Sequence, residues 1–315
     1  MSNISNLNPK SRGLLYQSFM NIKGIILVTV IFGPLFIING SQMLSTVLIP
    51  FSPKLFRAYN RFLANYYWGF LVFLLEKVNG INVEISGDEI PMEENAVVDS
   101  NHQNVSDIPI LMVLAWKKRR LGDMKFFAKD IIKYFPGPGW GMLFLDCLFV
   151  KRNWLSDKAK IDSTFRKFKT HKIPVWIVSF LEGTRITPEK LKRSQAFMKR
   201  RGLPHTENVM APRTKGFIAT VNSLREELDA AYTITLMYPE GVPNLWQLLK
   251  GECRYVRMHV RRTEIEKLPV EEEALEKWVI NEYVTKDKII DEFRKTYSTS
   301  PSNTQGLEEL SLNPS

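Results

Sequence analysis

The feature that most constrains the fold is a long uncharged segment near the start of the chain. No Asp, Glu, Lys or Arg occurs between residues 24 and 53, and residues 24–49 are strongly apolar. A stretch of this length is sufficient to cross the hydrocarbon core of a bilayer, which is about 30 Å thick. We therefore predict an N-terminal membrane-embedded helical segment.

The course of this segment through the membrane stays open. A Gly-Pro pair at 33–34 and a polar patch at 39–42 interrupt the apolar run, so a kinked span and a hairpin that re-enters the same face are both compatible with it. A cleaved signal peptide fits less well, because the run is too long and begins late. A second apolar stretch, residues 62–75, contains interfacial aromatic residues but is short for a crossing, and we interpret it as an interfacial or half-inserted helix.

From about residue 81 the pattern becomes that of an α/β domain. Short apolar runs typical of strands occur at 81–85, 96–99, 124–128, 143–150, 174–180, 232–237 and 256–260. Helical patterns lie at 108–116, 158–169 and 213–228, and the Pro- and Gly-rich residues 135–141 predict a loop or tight turn.

Five regions follow from these patterns. We predict a polar N-terminal tail at 1–23, a membrane-anchoring helical region at 24–78, an α/β domain at 79–262 and a C-terminal helical region at 263–296. The Ser-, Pro- and Asn-rich residues 297–315 are expected to be disordered.

Composition limits the kinds of ligand that the protein is expected to bind. The formal net charge of +10 favours an anionic partner, which nucleic acid, an acidic membrane surface or a phosphorylated substrate would each provide. The absence of a recognisable nucleic-acid-binding module and the membrane segment argue against nucleic acid. The two cysteines are far apart without a CxxC motif, and the four histidines are scattered, so we expect neither a disulfide scaffold nor a metal site.

The sequence NHQNVSD, residues 101–107, carries the strongest candidates for chemistry. His102 is suited to take and return a proton near neutral pH, and the carboxylate of Asp107 would fix its tautomer and stabilise the imidazolium. A turn must separate the two, because residues five apart on one helix do not face each other. Val97 and its neighbours read as a buried strand, and Ser106 or Asp107 can cap a helix with Pro109 in its first turn. The alternative is a loop histidine with a helix-capping aspartate.

Three further clusters contain candidate binding residues, and the first of them directly follows a buried apolar strand. In FLEGTR, residues 180–185, Gly183 permits close approach of a ligand, Thr184 offers a hydroxyl, Arg185 can bind an anion, and Glu182 can orient a hydroxyl or the arginine. A surface ion pair around a turn is the alternative reading of this cluster.

The remaining two clusters are weaker by themselves. Lys151 and Arg152 follow the strand at 143–150 and can bind phosphate oxygens, or else form a solvated basic turn. Arg213 and Lys215 in APRTKGF can contact a head-group phosphate, and Pro243 in YPEGVPN can shape a pocket, although ordinary loop roles would explain all three.

Taken together, these motifs resemble one family. NHQNVSD, LFVKR, FLEGTR and the proline loop at 242–243 occur in the order of the four motifs of the glycerolipid acyltransferases, and FVKRNW, PRTKGF and YPEGVPN resemble the eukaryotic branch with lysocardiolipin and lysophosphatidylinositol acyltransferases. The resemblance covers roughly residues 60–262. Two positions depart from the family pattern: Asp146 stands near a usual glycine and Leu181 replaces a more common proline.

The resemblance implies a mixed sheet flanked by helices and a role for each motif residue. His102 would be the general base supported by Asp107, and an acyl chain would pass from acyl-CoA to a lysophospholipid, lysophosphatidylinositol or lysophosphatidic acid above all. It assigns phosphate and substrate binding to Lys151, Arg152, Glu182, Gly183, Thr184, Arg185 and Lys215. Acyl-CoA would be a co-substrate, and neither a bound cofactor nor a metal is required.

The implied setting is phospholipid synthesis or remodelling at a bilayer. We expect the endoplasmic reticulum membrane with the catalytic domain facing the cytosol, and lipid droplets as a second location. The sequence is also compatible with two other functions, a CoA-independent phospholipid transacylase and a catalytically silent lipid-binding protein of the membrane surface.

Overall fold

A seven-stranded sheet forms the centre of the computed structural model, which describes residues 13–151 and 153–298. In chain order the strands are β1 (Asn82–Gly87), β2 (Ala96–Ser100), β3 (Met124–Lys129), β4 (Leu148–Val150), β5 (Trp176–Ser179), β6 (Ala230–Met237) and β7 (Tyr255–Glu264). Burial follows the sequence pattern, because every residue of the apolar β2 and β6 is buried, whereas buried and partly exposed residues alternate along most of β7.

The order of the strands across the sheet is β1-β7-β6-β2-β5-β3-β4. All neighbours are parallel except β6 and β7, so the predicted mixed sheet is confirmed. The carboxyl ends of β6, β2, β5, β3 and β4 therefore meet at one edge, where open α/β sheets usually bind their ligands.

Helices cover both faces of the sheet. They are α1 (Leu14–Ser45), α2 (Pro53–Phe73), α3 (Asp107–Lys117), α4 (Pro138–Phe144), α5 (Trp154–Thr170), α6 (Pro188–Arg201), α7 (Thr214–Leu224), α8 (Leu245–Lys250) and α9 (Glu272–Ser298). Apolar residues of α2 and α3 pack on one face, and those of α5, α7 and α9 pack on the other. The sheet is thus the middle of three layers.

One strand prediction was wrong in part. Residues 138–144, assigned to a loop and the start of a strand, form α4, and the strand is confined to Leu148–Val150. Pro138 at the first turn favours a helix start, and Gly137 with φ +89° supplies the preceding turn. Gly139 lies so close to the carbonyl of Ile132 that a Cβ would stand 1.9 Å from its oxygen.

The backbone conformation of Asp146 shows why an aspartate can stand where the family pattern usually has glycine. Its φ of +59° lies in the left-handed region, which glycine adopts most easily and which Asp tolerates better than most other residues. Its carboxylate pairs with Lys167 and lies 3.7 Å from Arg57. An aspartate can thus occupy this turn, because its side chain is held by cations from α5 and α2.

The termini differ from the predicted regions. Helix α1 begins at Leu14, so residues 14–23 are helical and belong to the apolar helix instead of a polar tail. At the other end α9 continues to Ser298. The rest of the two predicted tails, residues 1–12 and 299–315, lies outside the described residues.

The polar patch on α1 faces the protein. Helix α1 continues through Pro34 to Ser45 and is joined by a short connection to α2. Asn39 is buried, accepts a hydrogen bond of 2.8 Å from the backbone N–H of Gly137, and donates one of 2.9 Å to Gln42. These partners satisfy polar groups inside an apolar helix, as burial requires.

The opposite surface of α1 and α2 is apolar and exposed. The segment from Leu14 to Leu48 is long and apolar enough to cross a membrane, and it is the candidate membrane segment of the described chain. Large exposed side chains on the two helices include Leu14, Leu15, Phe19, Ile22, Ile25, Ile26, Phe36, Ile37, Leu44, Phe62, Tyr66 and Phe73. An apolar patch of this extent marks a surface for membrane or protein contact.

The packing of α1 on α8 can be tested at Gly24. A Cβ at Gly24 would lie 2.7 Å from the ring of Trp246, whereas Gly40 on the same helix has open space around it. We expect Gly24→Leu to destabilise the protein in detergent by about 1–3 kcal/mol through overpacking. Gly40→Leu is the control, since leucine there adds helix propensity without a clash. Equal thermal unfolding midpoints for the two variants would contradict this packing.

Candidate active site

His102 lies two residues beyond β2, at the edge where the parallel strands end. The preceding Asn101 locks this loop to β6, because its side chain donates to the carbonyl of Leu236 at 3.0 Å and accepts from the N–H of the same residue at 2.8 Å. The side chain of Gln103 also donates to the carbonyl of Leu236, at 2.9 Å. The backbone around His102 is therefore fixed from both sides.

Asp107 is the buried partner of His102. The two side chains are joined by a contact of 3.0 Å between His102 Nδ1 and Asp107 Oδ2, and the Asp107 side chain is fully buried. The same oxygen accepts backbone N–H groups from Gln103 at 2.6 Å and Asn104 at 2.9 Å. The other oxygen accepts the hydroxyl of Tyr238 at 2.7 Å. Several donors thus compensate the carboxylate for its loss of water.

The predicted capping of α3 was wrong in its detail. Ser106 precedes the helix, but its hydroxyl caps nothing and donates to the carbonyl of Pro243 at 2.7 Å. Asp107 binds N–H groups that precede α3 instead of those inside it. Both side chains hold the loop, which is why the turn brings Asp107 back to His102.

The imidazole is oriented for proton transfer. With Nδ1 donating to Asp107, neutral His102 has its free lone pair on Nε2. Its ring stacks on Phe180, with centroids 4.0 Å apart and planes 19° from parallel. Burial, followed by the charge of Asp107, raises the pKa of Tyr238 well above its usual value, so this hydroxyl stays a donor to the carboxylate.

Glu182 ties three loops together. One carboxylate oxygen accepts the backbone N–H of His102 at 2.8 Å, and the other accepts that of Met210 at 3.1 Å. Its side chain is buried, and burial raises its pKa to about 8 against the opposing effect of these N–H donors. Both oxygens are therefore used inside the protein.

Gly183 lies beneath an arginine. Its φ is +70°, and a Cβ there would stand 2.8 Å from the side chain of Arg213. The hydroxyl of the next residue, Thr184, accepts a hydrogen bond of 2.9 Å from Lys190, which also donates to the carbonyl of Arg185 at 2.9 Å. Glycine is required here by the turn and by the close approach of the guanidinium.

A cavity of about 1250 Å³ opens at His102. Helices α1 and α2 give it an apolar wall, whereas the loop after β5 and the starts of α6 and α7 give it basic side chains. The apolar lining includes Leu27, Ile31, Leu35, Leu63, Ala64, Tyr67, Leu71 and Leu75, and the basic lining includes Arg185, Lys190, Arg193, Arg213 and Lys215. The cavity beside the imidazole thus has an apolar part and a basic part.

Most of the residues predicted from the motifs meet in this cavity. Its lining contains His102, Glu182, Gly183, Thr184, Arg185 and Lys215. Asp107 stands behind His102. Lys151 is exposed and absent from the lining, and its backbone N–H binds Asp157 at 2.9 Å. Arg152 lies outside the described residues.

A buried ion pair from α9 supports the ends of β2 and β5. Lys286 pairs with Asp99 of β2, and both side chains are almost completely buried. The other oxygen of Asp99 accepts the hydroxyl of Tyr283 at 3.0 Å and the N–H of Leu181 at 3.4 Å. This group could not be predicted from the sequence, since a lysine in a charged terminal helix carries no signal of burial.

Metal ligands are not grouped in the described part of the chain. Among residues 13–151 and 153–298 we find no set of three or more His, Cys, Asp or Glu side chains that could hold a metal ion.

The comparison with known proteins agrees with this architecture. The family model described as Acyltransferase matches residues 82–217, and the one described as Acyltransferase C-terminus matches residues 247–310. The crystal structure of the 1-acyl-sn-glycerophosphate (LPA) acyltransferase PlsC from Thermotoga maritima shares the fold, with a TM-score of 0.51 at 16% identity over 96% of this chain and 98% of that one. Fold and family models together define an acyltransferase.

Curated relatives indicate which family of acyltransferases the chain resembles in sequence. The 1-acyl-sn-glycerol-3-phosphate acyltransferase 2 of Brassica oleracea is 32% identical over 81% of this chain and 67% of its own length. The 1-acyl-sn-glycerol-3-phosphate acyltransferase delta of Homo sapiens is 31% identical over 82% of this chain and 70% of its own. The chain belongs to the glycerolipid acyltransferase family.

The ion pair beneath the site predicts a large stability effect. Lys286→Met leaves the carboxylate of Asp99 buried without its cation, and we expect a loss of about 3–5 kcal/mol in the free energy of unfolding. Lys277→Met is a matched control on the same helix, since Lys277 pairs with Glu273 at 2.8 Å but is 70% exposed. We expect no measurable change for the control. Equal unfolding curves for both variants and the wild type would show that the buried pair is unimportant.

Proposed function

We propose that this acyltransferase moves a fatty acyl chain from acyl-CoA to the free hydroxyl of a lysophospholipid. The observation that carries this proposal is the position of the His102–Asp107 pair in a cavity that has both an apolar and a basic lining. The phosphate of the acceptor matches the basic part of the lining, and the acyl chain of the donor matches the apolar part. The names of the relatives favour a 1-acylglycerol-3-phosphate acceptor. Lysophosphatidylinositol is the second candidate, on the basis of the motif resemblance alone.

The reaction requires one proton relay and no covalent enzyme intermediate. His102 Nε2 takes the proton of the acceptor hydroxyl while the oxygen attacks the thioester carbonyl. The carbon–sulfur bond then breaks, the new ester forms, and the imidazolium returns the proton to the CoA thiolate. Asp107 stabilises the imidazolium during this cycle and keeps the correct tautomer.

The basic residues would hold the phosphate of the acceptor. Arg185 and Lys215 line the cavity together with Arg213, whose guanidinium lies against Gly183. An arginine fork and a nearby lysine form a charge-assisted site for phosphate oxygens. Because Glu182 is buried and each of its oxygens already accepts a backbone N–H, we assign it the positioning of the His102 loop in place of a direct contact with the acceptor.

The apolar helices would place this site at the membrane. Their exposed side chains can enter the lipid, while the wall they form inside the cavity receives an acyl chain. We place the protein in the endoplasmic reticulum membrane, with lipid droplets as a second location and the catalytic domain on the cytosolic side, where acyl-CoA is supplied. Degradation of the catalytic domain by protease added to intact microsomes is the measurement for this orientation, and its protection would refute it.

The role of Asp107 can be tested with little change of structure. In Asp107→Asn the amide oxygen can replace Oδ2 and the amide nitrogen can donate to Tyr238, whose hydroxyl also accepts. The charge that stabilises the imidazolium is lost, so we expect kcat for acceptor-dependent CoA release to fall by about 10²–10⁴-fold.

Tyr238→Phe provides the graded control for this experiment. It removes one donor to Asp107 and leaves the contact with His102, so a smaller loss of kcat is expected. Full activity of Asp107→Asn with an unchanged thermal midpoint would exclude the proposed relay.

The apolar lining predicts a chain-length effect. Ala64 on α2 lines the cavity and is 5% exposed, so a phenyl ring there would displace part of a bound acyl chain. For Ala64→Phe we expect the ratio of kcat/KM for oleoyl-CoA to that for decanoyl-CoA to fall by about tenfold or more, the effect of two displaced methylenes. Ala58→Phe is the control, because Ala58 is exposed on the same helix. A ratio unchanged by Ala64→Phe would place the chain elsewhere.

A further inference from the structure

Helix α6 carries an unusual concentration of positive charge beside the active site. Its sequence contains Lys190, Lys192, Arg193, Lys199, Arg200 and Arg201 against a single acidic residue, Glu189. Cations in the last turn favour the helix dipole, and that accounts for part of the charge at the C-terminal end. It does not account for Arg193 or for the exposed aromatic ring at Phe197.

The residues of α6 divide into two solvent-facing sides. At 100° per residue, Lys190, Arg193, Phe197 and Arg201 lie within about 80° of one another around the helix axis. Three of them, Lys190, Arg193 and Phe197, line the cavity that contains His102. Lys192 and Lys199 lie roughly opposite, exposed and away from that lining.

Phe197 is the distinctive member of the first side. Its ring is 41% exposed, although phenylalanine is one of the side chains most often buried in proteins. The guanidinium of Arg201 lies 5.8 Å from the ring centroid, and Arg193 precedes Phe197 by about one turn. An accessible ring between two arginines offers one surface for stacking a base and two cations for phosphate groups.

The helix also leads outward from the reacting groups. The N–H of Ile186, just before α6, donates to the carbonyl of His102 at 2.9 Å, and Lys190 binds Thr184. From Lys190 to Arg201 the helix rises about 16 Å. A ligand that contacts both His102 and Arg201 must therefore be extended, with its reactive end at the imidazole and its anionic end on the outer part of α6.

We propose that the side of α6 formed by Arg193, Phe197 and Arg201 binds the 3′-phosphoadenosine diphosphate part of the acyl-CoA donor. Phe197 stacks on the adenine, and the two arginines bind its phosphate groups. The pantetheine arm then runs along the cavity past Lys190 to place the thioester at His102. This inference rests on the proposed function only in taking acyl-CoA as the donor.

The same charges would also attract the phosphate groups of an acidic bilayer. That reading does not require Phe197 and makes no distinction between the two sides of α6. Two comparisons therefore distinguish a nucleotide from an acidic bilayer as the ligand. The first compares donors with and without the nucleotide, and the second compares substitutions on the two sides of α6.

The experiment compares variants with donors of decreasing length. Phe197→Ala and Arg193→Ala are assayed with oleoyl-CoA, oleoyl-3′-dephospho-CoA and S-oleoyl-pantetheine, with Lys192→Ala and Lys199→Ala as matched controls. We expect the preference of Phe197→Ala for oleoyl-CoA over S-oleoyl-pantetheine, as a ratio of kcat/KM, to fall roughly 5- to 150-fold, the equivalent of one lost base stack. Damage to folding alone would lower both values and leave the ratio as in the wild type.

Direct binding separates this inference from the proposed function. Titration calorimetry with adenosine 3′,5′-bisphosphate needs no turnover, and we expect a Kd at least about fivefold weaker in Phe197→Ala than in the wild type or the Lys192→Ala control. Binding of this kind without CoA-dependent transfer would refute the proposed function and keep the nucleotide site. Transfer with donor preferences equal in all variants, or equal losses from both sides of α6 that depend on acidic lipid in the vesicles, would refute the nucleotide site and keep the function.

Discussion

The buried carboxylate of Asp107 is the interaction on which the site depends. A carboxylate without water is stable only when donors surround it, and here the donors come from two parts of the chain. The loop after β2 supplies the ring of His102 and two backbone N–H groups, and the segment after β6 supplies the hydroxyl of Tyr238. The need to satisfy one charge thus closes the loop, orients the imidazole and joins the ends of two neighbouring strands.

The neighbouring acidic residues repeat this arrangement on a larger scale. Glu182 joins the loop after β5 to the backbone of His102 and Met210, and Asp99 joins β2 to Lys286 of α9. Each contact spans elements that are distant in sequence and adjacent at the edge of the sheet. The geometry of the site is therefore set by a buried polar network, in which the loss of one member leaves its partner buried without compensation.

Burial also decides which elements could be predicted from the sequence. The strands β2, β5 and β6 were predictable because their apolar runs are buried on both sides, and the site motifs follow those strands. Helix α6 was missed because Leu191 and Met198 are its only buried residues, so its apolar periodicity is weak. The partners of Asp99 and Glu182 could not be predicted from spacing, since they depend on which strands become neighbours.

The apolar helices α1 and α2 and the charged helix α6 line the same cavity with side chains of opposite character, apolar on one wall and basic on the other. A thioester of CoA combines a chain that leaves water readily with a nucleotide that does not, so a protein that receives it must offer both environments around one reacting carbonyl. Here α1 and α2 supply the apolar wall, and the loop after β5 with α6 and α7 supplies the cations. His102 belongs to neither set, because it is carried by the sheet edge that both sets of helices enclose. This separation lets the apolar and the basic surfaces vary in sequence without moving the imidazole.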